Sequence, residues 1–475
     1  MNPHVDYLQH KLHSFGRTTR GWSRKHIPEK AFVFILGTVI GILAGTGAFL
    51  LKRMIAFVSE WLTSLLHTDS GNWALIVIPL LGILLTGIVC RYILRDHLSN
   101  GVSQLLKELS KKIYKLRASR TFSFLIASTV TLGFGGSAGS EGPIANTGAA
   151  LGSNLATRFK LAPNLVKIMI GCGAGAGIAG IFKSPMGGVM FTLEVLRMEM
   201  TTISVLVLIV TAISAAMTAY MLSGGTLDIT FHHNAGFELD LIPWVILLGV
   251  FCGFYSLYYT YFTKKVAQGL HYLTNPWIKN IVAGTLLGCL IMIFPPLYGE
   301  GYDIISDIVN GNDHAIINDS IFYGNDGIWE LILVAAGILL AKCFATSATN
   351  HGGGVCGDFA PTLFAGCIAG FFFASSLNTI FHLHLPVALF AYFGMAGVMA
   401  GAIRAPLMAI FLTCEMGAAY SYFLPLMIAG AISFGVVRLF TADSYFTRRQ
   451  DRNNGIIAHL QRKINEKIQP DQTGN

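Results

Sequence analysis

Between Arg120 and Arg158 the sequence carries one charged side chain, Glu141, and between Lys342 and Arg404 it carries one, Asp358. Unsolvated stretches of that length constrain the fold more than any other feature of the chain. About 20 apolar residues span the hydrocarbon core of a bilayer, whereas a soluble domain keeps about a quarter of its residues charged. Here 12% are charged and 53% hydrophobic, so the chain reads as an all-α membrane protein. Its formal charge of +8 fits loop bias relative to a membrane better than binding to nucleic acid.

The first 30 residues are polar and basic, without the apolar core of a cleaved signal peptide. Apolar segments follow near 31–51, 73–94, 121–135, 144–157, 164–181, 186–222, 242–262, 280–297, 328–346, 361–380, 385–402 and 405–440. Several are too short to cross about 30 Å as straight helices, and many hold glycines, as in the run from Gly171 to Gly177. Such spans predict tilted and broken transmembrane helices that meet inside the protein, where irregular backbone is tolerated. The eight cysteines include no CxxC pair and lie in apolar or Gly-rich runs. They read as buried small residues, and neither a metal site, a disulfide nor a cofactor is expected.

The chain repeats itself. The segment from Lys183 to Glu194 aligns without a gap on that from Arg404 to Glu415, with base, proline, threonine and glutamate coinciding. Upstream, GSEGP at 139–143 matches GDFAP at 357–361, and glycines follow each proline at the same offsets, Gly148 and Gly152 against Gly366 and Gly370. Residues 91–120 hold eight Lys or Arg, whereas 296–330 hold none and carry seven acids, Glu300 among them. By the positive-inside rule the first loop is cytoplasmic and its counterpart external, which makes the repeat inverted. The expected organisation is a cytoplasmic segment 1–30, a first membrane repeat 31–222, a linker 223–241, a second inverted repeat 242–447 and a short cytoplasmic tail 448–475. Both termini are then cytoplasmic. Transporters of this kind hold their substrate near the bilayer midplane, at the repeat interface.

The matching motifs supply the chemistry. Proline suits the first turn of a helix, and the free N–H groups of a helix start make a site for an anion. GSEGP and GDFAP offer two such starts, and Asn100-Gly101 a third. Positive helix ends without a basic side chain suit a small anion that must both bind and leave. A lone carboxylate inside a membrane is costly and marks function. Glu141 can occupy the anion site itself and vacate it on protonation, coupling gating to protons; the bland alternative is a carboxylate that caps its own helix.

These residues resemble the CLC family of chloride channels and chloride/proton exchangers. GSEGP is similar to that family's G-[RK]-E-G-P, GDFAP to its G-x-F-x-P, and SNGVS at 99–103 falls where the family has G-S-G-I-P. The order of the three, the repeat and IRAP at 403–406 make the resemblance specific over 31–447. It implies a homodimer in a cell membrane, each subunit with its own anion path, and Glu141 as the external gate. Anion contacts fall to Asn100, Gly101, Gly142, Asp358, Phe359 and either Tyr445 or Phe446, whose phenol or ring edge would line the pore. Paired nucleotide-binding CBS modules are not expected, because the tail is too short.

Departures bear on mechanism. Val195 stands where the family's exchangers carry an internal proton-handling glutamate, with Glu194 at the neighbouring structural position and Glu415 as its repeat mate. Asn100 replaces a serine and Ser140 a basic residue. Asp358 occupies an apolar position, and a turn or helix-capping role is expected for it ahead of a second protonatable gate. The expected activity is transport of small monovalent anions, chiefly chloride, by a channel or an atypical proton exchanger. Fluoride/proton antiport is the alternative. An intramembrane enzyme is disfavoured, since Ser137 and Ser140 have no nearby histidine; HExxH and Walker motifs are absent.

Overall fold

The computed structural model describes residues 28–65, 74–95, 98, 101–111, 114–199, 201–227, 229, 238–317 and 327–441. Among them the chain is helical throughout. The first half contributes α1 (Glu29–Leu65), α2 (Ala74–Ile88), α3 (Gly101–Ser110), α4 (Arg120–Gly133), α5 (Glu141–Arg158), α6 (Pro163–Phe182), α7 (Pro185–Met190) and α8 (Thr202–Leu222). The second contributes α9 (Ile242–His271), α10 (Pro276–Ile293), α11 (Tyr302–Val309), α12 (Ile328–Gly352), α13 (Phe359–Phe381), α14 (Val387–Ile403), α15 (Pro406–Met416) and α16 (Phe423–Phe440). Proline in the first turn opens α6, α7, α10 and α15, where its missing N–H leaves no hydrogen bond broken.

Helix by helix the second eight repeat the first. α1 lies along α8 as α9 lies along α16, and α5 packs on α6 as α13 packs on α14. The basic residues that align in sequence, Lys183 and Arg404, both end their helices in the left-handed conformation, with φ of 53° and 61°. The halves join where α2 meets α10 and where α7 meets α15. Lengths are those of an inverted repeat of tilted and broken spans. At about 1.5 Å per residue, α7 and α15 rise far less than the roughly 30 Å of a bilayer core. Nine helices among the described residues are long and apolar enough to cross it, and they turn Leu206, Met217, Leu333 and Leu340 outward.

The two halves are stitched by crossed hydrogen bonds. Thr131 Oγ1 accepts the N–H of Val355 at 3.1 Å, and its repeat mate Thr349 Oγ1 accepts the N–H of Ser137 at 3.2 Å. Glu194 accepts from the N–H groups of Leu407 and Met408 at the start of α15. Glu415 returns the contact, accepting from Ser184 Oγ and from the N–H groups of Met186 and Gly187 at the start of α7. Each half thus neutralises an exposed helix start of the other.

Three expectations need correction. The run from Gly171 to Gly177 does not break a helix; it lies inside the continuous, buried α6. Its glycines admit close neighbours instead, since a Cβ on Gly173 would overlap the backbone of Gly148 in α5. Gly366 and Gly394 repeat this contact between α13 and α14. The apolar stretches 186–222 and 405–440 each divide in two, into α7 and α8 and into α15 and α16, so that the short helices can end inside the protein. Not all cysteines are buried: Cys289 is exposed and Cys90 half-buried, on helices with an outward apolar face.

Candidate functional site

Three helix starts converge at the join of the halves. Gly139 and Gly357 exchange N–H···O bonds of 3.1 and 2.7 Å, laying the two motifs antiparallel immediately before α5 and α13. Gly101, the first residue of α3, packs against Gly142 so closely that a Cβ there would overlap its backbone. Asn146 secures the pair, donating from Nδ2 to the carbonyls of Gly101 at 2.7 Å and Gly142 at 2.9 Å. The sequence builds this geometry from its glycines, which let three backbones meet without side chains between them.

Glu141 fills the meeting point. It is 1% exposed, and Oε1 accepts the N–H of Phe359, the first residue of α13. The side chain thus reaches the helix start of the opposite half. Oε2 has no hydrogen-bond partner, a deficit worth about 1–3 kcal/mol for a buried polar group. A Cβ on Gly139 or Gly357 would overlap the carboxylate; these two positions must be glycine for the side chain to lie there.

The surroundings are polar in ways specific to this chain. Ser140 donates from its N–H at 2.8 Å and its hydroxyl at 2.6 Å to Glu300 Oε1, in the segment between α10 and α11. Where the CLC resemblance implies a basic residue, a second carboxylate therefore sits against the α5 start. Asp358 occupies the N-cap position of α13, yet its side chain makes no capping bond. Its Oδ1 accepts from Asn350 Nδ2 instead, and Cys356 Sγ donates to Asn350 Oδ1 at 2.8 Å. The expected capping role is thus not observed; a pairing partner from α12 has taken the carboxylate. Val195 is buried at the end of a π-helical turn, beside Glu194. Asn100, Tyr445 and Phe446 lie outside the described residues.

The family model of voltage gated chloride channels matches residues 82–438. The chain belongs to the voltage gated chloride channel family. It is an integral, multi-pass membrane protein. A relative in this family is the H(+)/Cl(-) exchange transporter ClcA of Vibrio cholerae, 27% identical over 421 residues, which cover 85% of this chain and 86% of that protein. Among solved structures, a slow cyanobacterial Cl-/H+ antiporter superposes with a TM-score of 0.76 at 24% identity, covering 88% of this chain and 97% of the other. A CLC-type fluoride/proton antiporter does so with a TM-score of 0.67 at 20% identity, covering 86% and 95%.

Two side chains near this meeting point escape a reading of the sequence. Lys342, in the middle of α12, is fully buried. Its Nζ donates to Ser137 Oγ at 2.9 Å and lies 4.4 Å from the centre of the Phe364 ring. The signal was present, because a lysine inside the apolar segment 328–346 is as anomalous as Glu141; counted as the edge of an uncharged stretch, it passes unremarked. Buried charge is therefore not confined to the two motifs. Glu300 is one of seven acids in its loop, and nothing local separates it from the others.

Proposed function

We propose that this protein moves small monovalent anions, chiefly chloride, across the membrane, with Glu141 as the protonatable gate. One observation carries the reading: the Glu141 carboxylate holds the N–H of Phe359 at a helix start, the place a chloride ion would take. Protonation weakens that contact and removes the charge that excludes an anion, so a proton and an anion use one site in alternation. The family relatives named as Cl-/H+ exchangers support proton coupling. Gly101, Gly142, Phe359 and the backbone of Asp358 line the anion site, joined by Asn100 and by Tyr445 or Phe446. A homodimer in a cell membrane, with both termini cytoplasmic and halves bounded at 31–222 and 242–447, completes the proposal.

The test is flux from purified protein in liposomes, with a chloride gradient and a pH dye inside. Wild-type protein is expected to move protons against that gradient. Glu141→Gln is expected to lose proton movement by about 100-fold or more, as removal of a proton-transfer group does, while anion flux becomes insensitive to pH. Coupling that survives in this variant refutes the gate. Fluoride flux far above chloride flux transfers the reading to fluoride/proton antiport.

A further inference from the structure

The gate needs protons from both sides of the membrane, and Val195 cannot pass them. A cavity elsewhere, largely apolar in its wall but holding a carboxylate and several hydroxyls, answers this. It lies between α9, α12, α13 and α14, lined by Tyr259, Thr263, Lys264, His351, Asp358 and Thr362. Asp358 is part of its lining, next in sequence to Phe359, whose N–H holds Glu141. Lys264 lies towards the C-terminal end of α9. Lys264 and Lys265 near the end of α9 and Lys279 in the first turns of α10, with no acid from 263 to 280, assign that end to the cytoplasm by charge bias.

The lining is incompletely satisfied. Tyr259 is 4% exposed, and its hydroxyl, like that of Thr263, meets no partner at hydrogen-bond geometry in the protein. Two hydroxyls left unpaired beside a carboxylate point to water, which needs such groups to be held. The cavity has about 40 Å³ open to the centres of water molecules, against roughly 10–15 Å³ for one water. The groups that face Asp358 are Tyr259 from α9, Asn350 and His351 from α12, Cys356 from the connecting segment and Glu141 from α5, with Lys264 also in the cavity lining.

We infer that Asp358 is the internal proton-transfer residue of this protein, taking protons from the cytoplasm through this cavity and passing them to Glu141. The inference rests on the reading of Glu141 as the gate. A proton arriving along cavity water binds a carboxylate oxygen of Asp358. It then moves to a carboxylate oxygen of Glu141, directly or through one water. Asp358 returns to its ionised form, and neutral Glu141 releases the Phe359 N–H to the anion. Glu141 then gives its proton to water on the external side and returns to the Phe359 N–H, so only O–H bonds form and break and one proton crosses for each cycle of the pair. Asp358 thus takes the duty that a glutamate at position 195 would hold, from the opposite side of the anion path.

The experiment compares wild type, Asp358→Asn, Asp358→Glu, Tyr259→Phe and Glu141→Gln in liposomes, reading chloride and proton flux in parallel. Asp358→Asn is expected to lower the ratio of proton to chloride flux by about 100-fold, with Asp358→Glu restoring it. Tyr259→Phe is expected to slow protons alone. Unchanged proton-to-chloride stoichiometry in Asp358→Asn, with coupling lost in Glu141→Gln, overturns the route and leaves the gate standing. Coupling retained in Glu141→Gln, or no proton movement in wild type, overturns gate and route together. Loss of both fluxes in Asp358→Asn and Asp358→Glu alike marks Asp358 as structural and overturns the route.

Discussion

Lys342 and Glu141 are both ionisable, both buried in the bilayer region, and handled in opposite ways. Glu141 has one oxygen satisfied and one left over, an arrangement suited to a group that leaves. Lys342 has a hydroxyl and a ring face holding its ammonium, an arrangement suited to a group that stays. Removing one partner of such a pair strands the other, whereas removing both together can be nearly neutral. Ser137→Ala and Lys342→Met are therefore each expected to destabilise the protein by about 1–3 kcal/mol, with the double variant recovering much of the loss. Thermal unfolding in detergent measures this cycle, and simple additivity of the two losses would show that they do not act as a pair. Glu141 was legible in the sequence because it stands alone between glycines and a proline. Glu300 was not, because the serine it binds is 160 residues away.

Short helices cannot be stable by themselves, and α7 with six residues is shorter than any isolated helix that survives in water. Its start is held by Glu415 from α15, and the start of α15 is held by Glu194 from beside α7. A carboxylate at a helix start gains from the dipole as well as from its hydrogen bonds. Glu415 accepts three at the α7 start and a fourth from the Tyr420 hydroxyl, Glu194 two, so Glu415→Ala is expected to cost more than Glu194→Ala. A loss of about 2–4 kcal/mol against about 1–3 follows from bonds to charged groups. The order of apparent melting temperatures checks it, and a reversed order would remove the capping account. The alignment of these glutamates was readable, since repeated residues advertise equivalence. That each serves the other's helix was not, because equivalence in sequence carries no information about contact. The glycines of α6 misled for a related reason: a glycine that admits a neighbouring backbone and one that ends a helix look the same in a string.

At the scale of the molecule, orientation decides what the two polar approaches to Glu141 mean. One approach runs past Glu300 and the α5 start, the other through the cavity that Asp358 lines. α10 separates the regions involved, because it links the lysine-bearing end of α9 to the acidic segment before α12. If α10 crosses the bilayer, as its length and apolarity allow, those regions lie on opposite sides, and the absence of Lys and Arg from 296–330 sends that segment outside. Asp303 and Gln268 are both exposed, and a cysteine at either will report its side without disturbing the core. With exposed Cys289 changed to serine, Asp303→Cys is expected to react with a membrane-impermeant maleimide on intact cells. Gln268→Cys is expected to react only after permeabilisation. The opposite pattern would invert the molecule, place the Asp358 cavity on the external face, and make Glu300 the acid nearest the cytoplasm.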